Sequence, residues 1–93
     1  MKFYNFDESW PYTAIIYAKD EKDAIAKYIE EVTDTLEEEE QKLVPSEIDV
    51  DDIITSMKED YGEAAAEDYR KSTINEALAG EFTQVVLIDR YLL

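Results

Sequence analysis

Acidic side chains are concentrated in residues 30–68, and this feature constrains the fold of the chain more than any other. The stretch holds 16 Asp and Glu residues against two basic residues, Lys42 and Lys58, so it carries −14 of the protein's net charge of −15. Like charges at this density repel one another in a compact state and lower its stability. We therefore expect these carboxylates to face water or a basic partner.

Length and composition predict a single folded domain over residues 1–93. The hydrophobic fraction of 45%, with seven Tyr, three Phe and one Trp, is too high for a disordered acidic tail. No apolar run reaches the roughly 18 to 20 residues of a membrane span, and the N-terminus lacks the basic flank and apolar centre of a signal peptide. We expect a soluble, cytoplasmic protein that binds no membrane.

The composition also excludes several classes of function. The chain has no Cys and no His, which removes disulfides, thiol nucleophiles, thiolate metal sites and the commonest general base. An EF-hand calcium loop that began at Asp49 would need Gly at its sixth position and Glu at its twelfth. These positions hold Ile54 and Asp60. We therefore expect no enzyme activity, no catalytic residue, no cofactor and no metal site.

Two segments near the N-terminus predict a β-hairpin. Residues 2–6 and 12–18 are rich in the aromatic and β-branched residues that favour strands. The connection, residues 7–11, combines turn-forming residues with Pro11, which cannot donate a backbone hydrogen bond. Trp10 lies in this connection, and we predict that it folds back onto the sheet rather than anchoring a partner.

A long helix is predicted to begin after Asp20, an N-cap residue, and to end no later than Val44, because Pro45 disfavours a helical conformation in the residue before it. Its apolar side chains define a core-facing side: Ile25, Tyr28, Ile29, Val32 and Leu36. Its carboxylates define the opposite side: Asp23, Glu30, Asp34, Glu37 and Glu38. Residues 37–40 are all Glu, and Lys42 is the one basic residue at helical spacing from any of them, so we expect fraying at this end.

Beyond Pro45, a second helix is predicted, with either Ser46 or Asp49 as its cap. It runs to Tyr61 and is broken or loosened at Gly62.

A further helical segment is predicted over residues 63–71. Ser72 or Thr73 can then cap a short last turn that stops at Gly80. The sequence leaves open whether residues 49–79 form one, two or three helices.

The last strand signal, residues 82–92, has an apolar centre typical of a central, doubly covered strand. The whole pattern predicts an α+β domain of order β-β-α-α(-α)-β, with a small, mostly antiparallel sheet of three strands and two or three helices on one face. The other face would expose aromatic side chains: Phe3, Tyr4, Phe6, Tyr17 and Tyr91. A homodimer through the sheet would bury them, so both a monomer and a homodimer remain open.

Carboxylates on helix faces are predicted to bind a basic partner. Residues three or four positions apart on a helix lie about 5 to 6 Å from one another, similar to phosphates along a nucleic-acid strand, and duplex DNA is itself a dense array of negative charges. A basic groove can accept either. The predicted partner-binding residues are Glu30, Glu31, Asp34, Glu37, Glu38, Glu39, Glu40, Asp49, Asp51, Asp52, Glu59, Asp60, Glu63, Glu67 and Asp68.

In its size, acidity, lack of cysteine and strand-then-helix opening over residues 12–21, the chain resembles small acidic inhibitors of phages and mobile elements, namely anti-CRISPR proteins and DNA-mimic antirestriction proteins. The resemblance is one of general character without a shared motif, so it assigns no residue. It implies an inhibitor that occupies the PAM-reading or nucleic-acid channel of a CRISPR effector, in the cytoplasm of an infected or lysogenic host cell. Such a protein binds a basic nucleic-acid-binding protein and no nucleic acid directly.

A second interpretation gives the charge no role beyond solubility. The protein would then be a small structural or regulatory phage-type protein that dimerises through its sheet. The net charge of −15 exceeds the magnitude of about 2 to 8 that suits a small domain, which favours a protein that uses its charge.

Overall fold

Four antiparallel strands form one sheet among the residues that the computed structural model describes, which are 1–33, 36–38 and 40–88. They are β1 (Lys2–Phe6), β2 (Ala14–Ala18), β3 (Ser46–Ile48) and β4 (Gln84–Ile88), in the spatial order β3-β1-β2-β4. The predicted α+β class is confirmed. The sheet has one strand more than the three that the sequence indicated.

The helices occupy two parts of the chain. Helix α1 (Glu21–Glu31) follows β2, and a 3₁₀ turn, Glu40–Lys42, precedes β3. Between β3 and β4 lie α2 (Val50–Tyr61), α3 (Glu63–Tyr69) and α4 (Asn75–Gly80), with a π-helical segment, Arg70–Ile74, between the last two. In the described part of the chain, none of the helices combines the length and apolarity of a membrane span.

Helices cover both faces of the sheet, so the prediction that they pack on one face was wrong. One core joins the sheet to the helices that follow β3 and includes Phe3, Ile15, Tyr17, Ile53, Ile74, Ala77 and Val86. The other joins the sheet to α1 and includes Tyr4, Phe6, Trp10, Ile16, Ala24 and Tyr28. Adjacent apolar residues such as Ile15 and Ile16 point to opposite faces of a strand, and each face therefore needs a cover.

The exposed sheet face that favoured a homodimer does not exist in the described residues. Phe3, Tyr4, Phe6 and Tyr17 are each no more than 5% exposed, and Tyr91 lies outside the described residues. None of these four described side chains is therefore exposed to contact a second copy.

The hairpin forms as predicted, but β2 starts at Ala14, so the connection spans residues 7–13 instead of the predicted residues 7–11. Trp10 is buried and packs edge-on against Phe6 and Tyr28, whose rings stack on each other with centroids 4.5 Å apart. The Tyr28 hydroxyl donates to the Tyr12 carbonyl at 2.8 Å and accepts from the Tyr12 amide at 3.0 Å. This pair of bonds ties the connection to α1 and confirms that Trp10 belongs to the core.

Helix α1 starts as predicted, since the Asp20 carboxylate accepts a hydrogen bond from the Asp23 amide at 2.8 Å. It ends at Glu31, so the long helix was wrong: Glu37 and Glu38 are not helical, and Asp34 lies outside the described residues. The last turn of α1 has no basic residue to offset the helix dipole, and continuation into four glutamates would have added repulsion at the negative end.

The predicted core side of α1 is only partly buried. Tyr28 is fully buried, Ile25, Val32 and Leu36 pack half-buried against the same core, and Ile29 is 37% exposed.

Strand β3 was not predicted, because Ser46 was considered as a helix cap. The strand pairs antiparallel with β1, and Lys2 Nζ lies 2.9 Å from Glu47 Oε1 across the pair. Asp49 occupies the N-cap position of α2 but forms no side-chain capping bond.

Two separate helical segments follow, which answers the question that the sequence left open. The first is α2, and the second is a continuous stretch over residues 63–80 made of α3, the π-helical segment and α4. Gly62, with φ of +94°, separates α2 from α3 as predicted. Neither Ser72 nor Thr73 caps a helix, since both lie in the π-helical segment. Helix α4 ends at Gly80 as predicted.

Strand β4 lies beside β2, as expected for a strand that joins the hairpin. It occupies an edge of the described sheet, so its predicted central position was wrong. The doubly covered strand is β2, in which all five residues are buried. Phe82 and Thr83, the first two residues of the predicted strand, precede β4, and residues 89–92 lie outside the described residues.

Candidate functional site

The predicted acidic residues do not form one continuous surface. Glu30 and Glu31 end α1, which covers one face of the sheet, whereas α2 and α3 cover the opposite face. Asp34 and Glu39 lie outside the described residues. The sheet therefore separates the two halves of the predicted site.

The carboxylates near the end of α1 have partners of their own. Lys27 Nζ lies 3.6 Å from Glu31 Oε1 and 4.0 Å from Glu30 Oε1. In the connection that follows, the Glu37 amide donates to Glu40 Oε1 at 2.8 Å. Glu38 is exposed in the same connection. This half of the acidic stretch is therefore partly neutralised and has no regular spacing.

The carboxylates of α2 and α3 form a more coherent feature, which we call the α2–α3 acidic surface. It consists of Asp51, Asp52, Glu59, Asp60, Glu63, Glu67 and Asp68, all of them exposed. Lys58 is the one basic residue in these two helices. Within the described residues, none of the seven carboxylates forms an ion pair. The surface therefore presents nearly its full negative charge to a partner.

Helical spacing explains this arrangement. Ile53 and Ile54 are buried and Met57 packs against the same core, so the acidic residues before Ile53 and after Met57 turn outward. Gly62 then lets the chain bend, and α3 packs against α2. Asp49, the remaining predicted residue of this region, is exposed at the start of α2.

An open groove of about 700 Å³ lies beside this surface, between α2 and the hairpin end of the sheet. Apolar residues from β2, β3, β4 and α2 contribute to its lining, among them Ile15, Ile48, Ile53, Met57 and Leu87, and β1 contributes Asn5. Three carboxylates also line it: Glu8 from the hairpin connection, and Glu59 and Asp60 from α2. The volume falls in the range of about 300 to 1,000 Å³ that is typical of ligand sites.

Sequence reasoning missed several of the groove residues. Asn5 comes from β1 and Glu8 from the hairpin connection, more than 40 positions before Ser56 and Tyr61 of α2. Nothing local in the sequence indicates that they meet. The weak signals available were Asn5, a polar residue in an otherwise apolar strand, and Tyr61 immediately before Gly62.

Asp23, which was predicted to share the acidic side of α1, has a structural role. Its carboxylate accepts hydrogen bonds from the Thr83 hydroxyl and from the Lys19 amide. The bond from Thr83 is the main cause that lowers the pKa of Asp23 below its ordinary value, against an opposing effect of burial. Asp23 therefore joins α1 to the start of β4 and is not available to a partner.

Tyr28 and Tyr69 are titratable residues that pack within the two cores. Burial raises the pKa of the Tyr28 and Tyr69 hydroxyls, and the Tyr69 hydroxyl donates a hydrogen bond to the Val86 carbonyl. Among the described residues, no cluster of three or more carboxylates could hold a metal ion.

Comparison with known proteins identifies a family for the chain. The model of the YosH C-terminal domain family matches residues 1–87. No curated protein and no solved structure shows significant similarity to the chain. The matched range includes α1–α4, β1–β3 and all of β4 except its last residue. The chain therefore belongs to the YosH C-terminal domain family.

Proposed function

We propose that the protein is a non-enzymatic inhibitor of a nucleic-acid-binding protein and that its target class is the CRISPR effectors. The α2–α3 acidic surface would occupy the basic site that otherwise holds DNA. The observation that carries this proposal is the set of seven exposed carboxylates on α2 and α3. These two helices contain one lysine, and within the described residues none of the seven carboxylates forms an ion pair. The choice of CRISPR effectors rests on the resemblance in size and charge to anti-CRISPR proteins.

The charge density of α2 suits this role. From Asp51 to Asp60 the helix rises about 14 Å, at 1.5 Å per residue, and carries four carboxylates and Lys58. These carboxylates lie in two pairs about 10 Å apart, and their average density is one per roughly 3 to 4 Å, which is close to one phosphate per 3.4 Å along a DNA strand. Helix α3 extends the array with Glu63, Glu67 and Asp68. Arginine and lysine side chains that bind phosphates can therefore meet carboxylates at a comparable density.

Charge reversal tests the proposal by competition with DNA. A purified CRISPR effector with its guide RNA is bound to a fluorescent target duplex, and displacement of the duplex is followed by anisotropy as the protein is added. We expect the wild-type protein to displace the duplex and the variant D51K/D52K/E59K/D60K to lose about 100-fold or more in potency, because like charges across an interface cost several kcal/mol. Potency of the wild type should also fall as salt is added.

The matched control is E30K/E31K/E37K/E38K, which changes the charge equally on the opposite side of the sheet. It should lose much less potency than the α2 variant, and circular dichroism should show that both variants are folded. In a mobility shift without the effector, the protein alone should not retard DNA. If the wild-type protein fails to displace DNA from a panel of effectors, or retards DNA by itself, the proposal is wrong.

A further inference from the structure

The groove beside α2 has a chemistry that differs from the rest of the acidic surface. Glu8, Glu59 and Asp60 line it together, and no Lys or Arg is among its described lining residues. None of these three carboxylates forms an ion pair within the described part of the chain. A ligand in the groove therefore meets three unpaired negative charges beside an apolar wall.

The wall of the groove can accommodate more than a point charge. Ile48, Met57 and Leu87, all half-buried, provide apolar contacts along it. Asn5 is half-buried among them, and in the described residues its side-chain amide forms no hydrogen bond. Its carbonyl oxygen and its NH₂ group are thus available to the polar groups of a peptide backbone.

Tyr61 completes the groove with an aromatic ring that is 49% exposed at the end of α2. A cation over the face of a tyrosine ring is attracted by the ring's quadrupole, and arginine is the commoner partner in such contacts. Arginine also binds carboxylates in a bidentate geometry, and its methylene stem packs on apolar surface while its charged head stays with polar groups.

We propose that this groove binds an arginine-containing basic segment of the protein's target, with the arginine stem against Met57 and the guanidinium group among Glu8, Glu59, Asp60 and Tyr61. The inference rests on the proposed function, since it assigns the anchoring contact of that same acidic surface. A compact ammonium ion on lysine would use the carboxylates but would gain less from the tyrosine ring and could not bind in a bidentate manner. The groove should therefore prefer arginine to lysine.

Peptide binding tests this inference without the effector. The probes are fluorescein-labelled octa-arginine and octa-lysine, with affinity measured by anisotropy at 150 mM NaCl. Neutralisation in the groove, E59Q/D60N, should weaken octa-arginine binding about tenfold or more, as expected for the loss of close charge pairs. The comparison variant E67Q/D68N removes the same charge from α3 outside the groove and should weaken binding only about two- to threefold, through the lost long-range field.

A second variant separates arginine recognition from charge alone. Tyr61→Ala keeps the net charge and should lower affinity for octa-arginine more than for octa-lysine. Phe82→Ala removes another exposed aromatic ring, which is 59% exposed and lies outside the groove, and it should leave both affinities unchanged. Circular dichroism checks that every variant is folded.

Several results would overturn the inference. They are equal weakening by E59Q/D60N and E67Q/D68N, no arginine preference in the wild type, or no binding of octa-arginine at all. Light scattering at the assay concentration provides another: a dimer that is lost in E59Q/D60N would mean that a second copy occupies the groove. The DNA competition assay uses no peptide and is therefore an independent measurement. If the wild-type protein displaces DNA but E59Q/D60N binds octa-arginine as tightly as the wild type, the proposed function is retained and only the groove is rejected.

Discussion

At the scale of single residues, the hydrogen bond from Thr83 to Asp23 connects the first turn of α1 to the residue before β4. Thr83→Val removes the hydroxyl and keeps the branched shape of the side chain. We expect a loss of about 1 to 3 kcal/mol in the free energy of unfolding at pH 7, because a hydrogen bond to a charged group contributes about this amount. Urea denaturation measures it, with the exposed helix residue Thr55→Val as the matched control.

The same bond makes this contribution depend on pH. Thr83 lowers the pKa of Asp23 from an ordinary value of 3.8, so the folded state favours the ionised carboxylate. The stabilisation is therefore fully present above about pH 4 to 5 and is lost as the pH falls through the lowered pKa. In an NMR titration, the pKa of Asp23 should rise in Thr83→Val. An unchanged pKa would show that Thr83 does not stabilise the carboxylate.

At the scale of elements, Gly62 sets the junction between α2 and α3. Its φ of +94° and ψ of 168° lie in a region that is essentially restricted to glycine, and an added Cβ would meet nothing within 4 Å. Gly62→Ala should therefore lower the free energy of unfolding by about 1 to 3 kcal/mol through backbone strain alone.

Thermal unfolding measures this cost, and Gly80→Ala is the control. Gly80 has no positive φ, and the Cβ added there would meet only the ring of Phe82, an exposed side chain that can move. If Gly62→Ala is as stable as the wild type, the junction has relaxed to another conformation. Because Glu63, Glu67 and Asp68 follow it directly, such a change would also alter DNA displacement.

Local signals in the sequence predicted those elements that depend on a few neighbouring residues. Asp20 caps α1, Gly62 and Gly80 end helices, and alternating aromatic and β-branched residues form the hairpin. The short strand β3 could not be found in this way, because three residues of mixed polarity become a strand only by pairing with β1. The repulsion among the glutamates at residues 37–40 predicted only that a longer helix would fray there. It did not predict that α1 ends at Glu31.

The candidate site was predicted in part. The exposure of the carboxylates on α2 and α3 followed from helical spacing around Ile53 and Ile54. Their separation from Glu30 and Glu31 did not follow, because it depends on which face of the sheet each helix covers. That coverage was indicated by consecutive apolar residues in β1 and β2, a pattern of strands buried on both faces. The groove arises only from tertiary contacts between segments that are distant in sequence.

At the scale of the whole molecule, the net charge of −15 opposes folding through self-repulsion. Raising NaCl from 20 to 300 mM shortens the screening length from about 20 Å to about 6 Å. We expect the midpoint of thermal unfolding to rise by about 5 °C or more, since about 1 kcal/mol corresponds to about 4 to 8 °C in a domain of this size.

The variant E63Q/E67Q/D68N provides the control for this effect, because it removes three unpaired charges from one surface. Its midpoint at low salt should be higher than that of the wild type, and its rise with salt should be smaller. A wild-type midpoint that does not change with salt would show that repulsion among the carboxylates is too weak to influence stability.

The position of β4 at residues 84–88, beside β2 at residues 14–18, has a consequence during synthesis. The hairpin of β1 and β2 can pair as soon as both strands leave the ribosome, but the second neighbour of β2 arrives about 70 residues later. At about 5 to 20 residues per second, β2 waits several seconds with one edge unpaired. Such an edge can pair with other nascent chains. The charge repulsion that lowers the stability of the folded protein therefore also opposes aggregation of its unfinished chains.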